Sequence, residues 1–151
     1  MDLVVGIGNR LRGDDGIGPV LADAVPPRTG LETMSVHQLV PELAEQLTQV
    51  DRVLFVDAEL RIQETSLRTI EPQQHSGLGH ACSPQSLLHW TAFAFGRAPA
   101  AWLLSVPASR FDHEEALSAE TASRIPDAQQ LIEAWLEECG APDAMTSEEE
   151  A

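Results

Sequence analysis

"GIGNRLRGDDG", Gly6 to Gly16, follows the apolar run Leu3, Val4, Val5 and precedes a helical pattern. A glycine-rich turn between a strand and a helix is the junction on which parallel α/β folds are built. Such turns commonly cradle phosphate with backbone amides. This one ends in two adjacent carboxylates, Asp14 and Asp15, which would repel a phosphate and are themselves stabilised at a helix start. The dinucleotide fingerprint Gly-x-Gly-x-x-Gly fails too: Gly6 and Gly8 fit, but Leu11 takes the third position. The turn therefore decides for an α/β fold and against a nucleotide cofactor, although a generic nucleotide-binding domain stays as a rival that predicts phosphate binding.

Working outward, Asp2 to Gly8 reads as a short buried strand. Gly16 to Val25 reads as a helix with Ile17, Val20, Leu21 and Ala24 on one face and Pro19 in the first turn. A second strand is expected over Leu31 to Leu39 and a short helix over Pro41 to Val50. "RVLFVDA", Arg52 to Ala58, is the clearest central strand; Ser66 to Ile70 is a shorter one. Ser83-Pro84 opens a helix as N-cap and N1, and Gly96 closes it. Ala101 to Val106 is a further buried strand. The last helix is expected from Leu117-Ser118 to about Glu138, with Pro126 either kinking it or marking its start. Strands alternating with helices predict a single three-layer α/β domain, a twisted, mostly parallel sheet with helices on both faces.

The bulk numbers agree with one domain: 151 residues, 43% hydrophobic. We expect it to span 1–139, followed by a disordered acidic tail, 140–151. All nine basic residues are arginine, and the net charge of -15 leaves no basic face for nucleic acid. No run approaches the ~18–20 apolar residues of a membrane span. Two distant cysteines, Cys82 and Cys139, build no disulfide framework. Cys139 reads as a small buried apolar residue. A cytoplasmic protein is the expectation.

In such sheets ligands sit beyond the C-terminal strand ends. That rule puts Asp15 and Asp57 at one edge, and a carboxylate ending an apolar strand needs solvent, a partner or a metal. Capping accounts for one of Asp14 and Asp15, and both cannot satisfy the same N–H groups, so one is free. Among five histidines, His37 and His113 lie in or near loops, His75 in a polar stretch, and His89 inside a helix. His80 stands just before a capped helix in "GHACSPQSLL". Two carboxylates and an imidazole suit zinc, nickel or a similar divalent ion. Cys82, close to His80, raises a thiol route, although no base and orienting partner are evident.

Three segments together resemble the hydrogenase maturation proteases, the endopeptidases of nickel–iron hydrogenases. They are "VGIGNRLRGDDGIGPVLAD", then "VLFVDA", then "GHACSPQSLLHW", in the family's order and spacing. "LLSVPASRF" and "EALSAET" extend the likeness, which runs from about residue 2 to residue 138. The resemblance implies a five-stranded twisted sheet of the phosphorylase/hydrolase-like kind. It places the family's metal-contacting acids on Asp15 and Asp57 and its histidine on His80, rather than on His75. It implies removal of a C-terminal extension from the hydrogenase large-subunit precursor after nickel insertion. The nickel would be carried by the substrate and serve as the recognition element, with other divalent metals able to substitute in vitro. A nickel- or precursor-binding maturation factor without hydrolysis is the alternative. His37-Gln38-Leu39 stands where the family often has Asp-Gly-Gly or Gly-Thr.

Overall fold

A computed structural model describes residues 1–74, 82–111 and 115–138. The order is β1 (Asp2–Ile7), α1 (Ile17–Asp23), β2 (Leu31–Val36), α2 (Ala44–Leu47), β3 (Arg52–Glu59), β4 (Ser66–Ile70), α3 (Pro84–Phe95), β5 (Ala100–Pro107), α4 (Ala119–Ala122) and α5 (Ile125–Glu137). One five-stranded sheet has the order β2-β1-β3-β5-β4. Only the edge strand β4 is antiparallel, paired to β5. The expected α/β class and mostly parallel sheet are thus present.

Strand alternation sorts the core into two layers. Val4, Leu54, Val56, Trp102, Leu104 and Val106 pack with residues of α1 and α5. Leu3, Val5, Val53, Phe55, Ala101 and Leu103 pack with residues of α2 and α3. The three inner strands β1, β3 and β5 are buried on both faces, which is why they read as continuous apolar runs. At the N-terminal edge of the sheet the buried Arg52 pairs with Asp2 at 2.7 Å. It donates to the Trp135 carbonyl at 2.9 Å and lies 4.1 Å from that ring's centroid. This fixes α5 against the sheet.

Local signals set most boundaries. Ser83 and Ser86 cap α3 reciprocally: each side-chain oxygen accepts the other's backbone N–H, at 3.0 and 2.9 Å. Gly96 ends that helix with a φ of 80°. The first predicted helix starts as a 3-10 turn, Gly13–Gly16, before α1. The second strand stops at Val36, and the Pro41 helix is a 3-10 turn plus α2. The last predicted helix is two: Ser118 caps α4 by accepting the Thr121 N–H at 3.2 Å, and Pro126 sits in the first turn of α5. Proline lacks the N–H that a continuous helix would need there. Cys139 and the acidic tail lie outside the described residues. No helix among the described residues is long and apolar enough to cross a membrane.

Two contacts position the C-terminal edge. In the first, α1 lies backbone to backbone on the sheet. A Cβ on Gly18 would collide with the carbonyl oxygen of Ile7 and come within 2.5 Å of that of Val56; one on Gly6 would strike the Gly18 carbonyl. In the second, Asp14 is fully buried and points away from its own turn. Its carboxylate accepts from the N–H groups of Ser109 (2.8 Å), Arg110 (3.0 Å) and Ser118 (2.7 Å), and from the Ser118 hydroxyl (2.9 Å). Burial pushes its pKa up, but the Ser118 N–H, the Thr121 side chain and the Arg110 and Ser109 N–H groups outweigh it and hold it at about 2. The expectation that an aspartate of this pair caps the adjoining helix is corrected: no side chain caps the 3-10 turn or α1. Asp14 is spent on the loop after β5, where its buried carboxylate gathers three part-buried N–H groups and a hydroxyl at once.

Two expected outcomes follow. Gly18→Ala should lose about 3 kcal/mol in urea unfolding, an overpacking cost, whereas Gly30→Ala, at a φ of 81° in open space, should lose about 1 kcal/mol. Equal losses would show that the close contact is not limiting. For Asp14, a depressed pKa means stability that is present above pH 4 and lost as pH falls towards 2. Asp14→Asn should therefore be less stable than wild type by about 2 kcal/mol at pH 7, with the gap closing between pH 4 and 2. Paired denaturation curves across pH measure it.

Candidate metal and catalytic site

The loop between β1 and α1 is organised by Asn9, whose role sequence reading missed although it closes the Gly-x-Gly-Asn string. Its side-chain oxygen accepts the Leu11 N–H at 2.9 Å, and its carbonyl accepts the Arg12 N–H at 3.0 Å. Its own N–H donates to Asp15 Oδ2 at 2.9 Å. Asparagine favours such turns because its side chain mimics a backbone acceptor. The loop folds back so closely that a Cβ on Gly8, whose φ is 146°, would run into the Asp15 carbonyl. Asp15 is thereby held half-buried at the mouth of the edge.

The amides of Gly8, Asn9, Leu11, Arg12, Asp14 and Asp15 are already used. Asp14 N–H donates to the Arg110 carbonyl and Asp15 N–H to the Arg12 carbonyl, at 3.1 and 3.2 Å. With the Asn9 and Arg12 amides also engaged, the turn offers carboxylate outward where a phosphate cradle would offer N–H groups.

Asp57 lies at the end of β3, in register with Ile7 of β1 on one side and Ser105 of β5 on the other. It is half-buried, and Oδ1 accepts the N–H of Ala58 at 2.9 Å. Its pKa is pushed up to about 7. Burial is the main cause; the Ala58 N–H opposes it, and the negative charges of Asp15 and Glu59 add to the rise. Asp15 and Asp57 are thus brought near enough to repel. Neither carboxylate has a cationic partner among the described residues: the arginines in ion pairs there serve Asp23, Glu137 and Asp2. Two hard oxygen donors, one held near half-protonation at neutral pH mainly by its burial, fit a divalent cation, which would remove both the repulsion and the proton.

His80 lies outside the described residues, as do His75 and His113. Among the described residues no group of three His, Cys, Asp or Glu side chains is gathered for a metal. His37 is exposed and His89 half-buried. Cys82 forms an antiparallel bridge with Leu39, which is buried, so His37-Gln38-Leu39 packs beside the start of α3. The Cys82 Sγ is 3.7 Å from the Ser83 carbonyl oxygen and 3.6 Å from Ser86 Oγ. Serine groups surround it there, with no base in hydrogen-bond reach among the described residues, so the thiol route gains no geometric support.

No protein-family model matches the chain, and no curated protein sequence matches it. Solved structures do. The hydrogenase maturating endopeptidase HybD from E. coli superposes with a TM-score of 0.74 at 20% identity, covering 92% of this chain and 93% of that one. A hydrogenase 2 maturation peptidase from Thaumarchaeota archaeon SCGC_AB-539-E09 gives 0.66 at 23% identity, covering 90% and 97%. The [NiFe] hydrogenase maturation protease HycI from Thermococcus kodakarensis KOD1 gives 0.68 at 18%, covering 87% and 88%. Over nearly its whole length, this chain has the fold of the hydrogenase maturation endopeptidases.

Proposed function

We propose that the chain is a cytoplasmic endopeptidase that removes the C-terminal extension of a nickel-loaded [NiFe]-hydrogenase large-subunit precursor. The observation that carries the reading is the carboxylate pair Asp15 and Asp57, without a cationic partner among the described residues, at the C-terminal sheet edge of a fold shared with maturation endopeptidases. Nickel enters as part of the substrate. Bound there, it supplies Lewis acidity towards the scissile carbonyl or a water. Asp15 and Asp57 offer oxygen donors and His80 a nitrogen donor. Asn9 orients Asp15 through its N–H, and the Ala58 N–H fixes one oxygen of Asp57, leaving Oδ2 to hold or release a proton near neutrality.

Processing of nickel-loaded precursor is read as a size shift on a gel. Asp15→Asn, Asp57→Asn and His80→Ala should each slow it by roughly 100-fold or more, while Cys82→Ala retains wild-type rate. Full processing by Asp15→Asn and His80→Ala would sink the assignment. Tight precursor binding without any size shift would instead favour the non-hydrolytic maturation factor.

Asp57 supplies a separate check on the metal-free protein. Its raised pKa means that the folded state keeps a proton the unfolded chain has lost, so its contribution falls as pH rises from about 4 to about 7. Asp57→Asn should gain on the order of 2–4 kcal/mol relative to wild type over that window and hold the gain at pH 8. A constant difference from pH 4 to 8, measured by denaturation, would contradict the raised pKa.

A further inference from the structure

A cavity of about 440 Å³ opens on the same sheet edge, between the β3–β4 loop, the end of β5 and α4. Its walls are Ile62, Gln63, Pro107, Ala108, Ser109, Glu120 and Arg124. Pro107 is in register with Glu59, two residues beyond Asp57 on the neighbouring strand. With strands ~4.8 Å apart, cavity and carboxylate pair are roughly 10–15 Å from each other, three or four residues of extended chain. The two are also mechanically joined, because Ser109 in the cavity wall hangs from Asp14, the neighbour of Asp15.

The backbone of this wall has little left to give a ligand. Pro107 has no N–H, the Ala108 N–H donates to the Glu59 carbonyl, and the Ser109 N–H goes to Asp14. Recognition falls to side chains. Glu120 and Arg124 stand one helical turn apart, a spacing that ordinarily forms an ion pair. Here no ion pair forms between them. The Ser109 hydroxyl donates to Glu120 Oε2 at 3.3 Å, and Arg124 Nη2 donates to the Gln63 carbonyl at 3.0 Å, so each charge is drawn to its own side. Among the described residues, Glu120 Oε1 and the remaining guanidinium N–H groups have no hydrogen-bond partner. A free acceptor and free donors are thus held apart across one opening. An extended peptide presents on one edge a C=O and an N–H from the same residue, the complement of that arrangement.

We propose that this cavity is a main-chain subsite for the polypeptide flanking the cut bond, with Arg124 donating to a substrate carbonyl and Glu120 accepting a substrate N–H. The proposal rests on the endopeptidase reading. It assigns Glu120 and Arg124 to substrate binding and keeps the reacting atoms with Asp15 and Asp57.

Steady-state cleavage of nickel-loaded large-subunit precursor, carrying its extension, tests it. Glu120→Ala and Arg124→Ala should each raise KM at least fivefold while kcat changes less than twofold. Unchanged KM, or a fall in kcat and melting temperature at constant KM, would overturn the subsite and leave the two residues as loop supports. If the wild-type protein cuts nothing, the endopeptidase reading falls by itself. Precursor binding to Asp15→Asn, with and without the two substitutions, then still decides the subsite. At least fivefold weaker Kd supports it, and an unchanged Kd removes it.

Discussion

The structure depends on how closely one helix backbone can approach a sheet. α1 rests on β1 and β3 through Gly18 and Gly6, with no side chain between the main chains. An ordinary helix–sheet contact keeps a layer of side chains between the two backbones. Removing that layer here brings the start of α1, and the 3-10 turn that precedes it, down onto the strand ends. Asp15 is then carried to the level of Asp57, near the C-terminal end of β3. The glycines therefore do more than permit a turn: they set the height of the first carboxylate above the edge.

Much of this was readable in the residues because it is local. The continuous apolar runs at Leu3–Val5 and Arg52–Val56 announce strands buried on both faces, and Ser83, Pro84 and Gly96 announce the ends of α3. Asp57 could be picked out because a charge ending an apolar strand needs a reason, and Asp15 because two adjacent carboxylates close a glycine-rich turn. What stayed hidden depends on distant partners. Nothing in Ser66–Ile70 says that it runs antiparallel at the outer edge beside β5. Nothing near Asp14 says that its acceptors are wanted by a loop about a hundred residues away. The local preference for capping was real in general and lost here to a tertiary demand. His80, chosen from its place before a capped helix, lies outside the described residues.

The carboxylate pair is held at a cost to the fold. Asp57 would be more comfortable with a cation or with open solvent, and it has neither among the described residues. The opposite edge shows how the same protein treats a charge it means to neutralise. There the buried Arg52 has Asp2, a carbonyl and two tryptophan rings. Among the described residues, one edge pairs its buried charge and the other does not, and the C-terminal edge is where sheets of this kind place ligands.

Asp14 has a bearing on how the chain assembles. Its four bonds close loops of 95 to 104 residues, among the longest that the molecule makes. Closure entropy makes such contacts late ones. A growing chain that has made β1 to β4 has only the local bonds of Asn9 and Arg12 to shape the turn beside Asp15. Only when Ser109, Arg110 and Ser118 arrive does the first loop acquire its long-range anchor. The wiring leaves the long-range anchoring of this edge until the chain from β1 to α4 is in place.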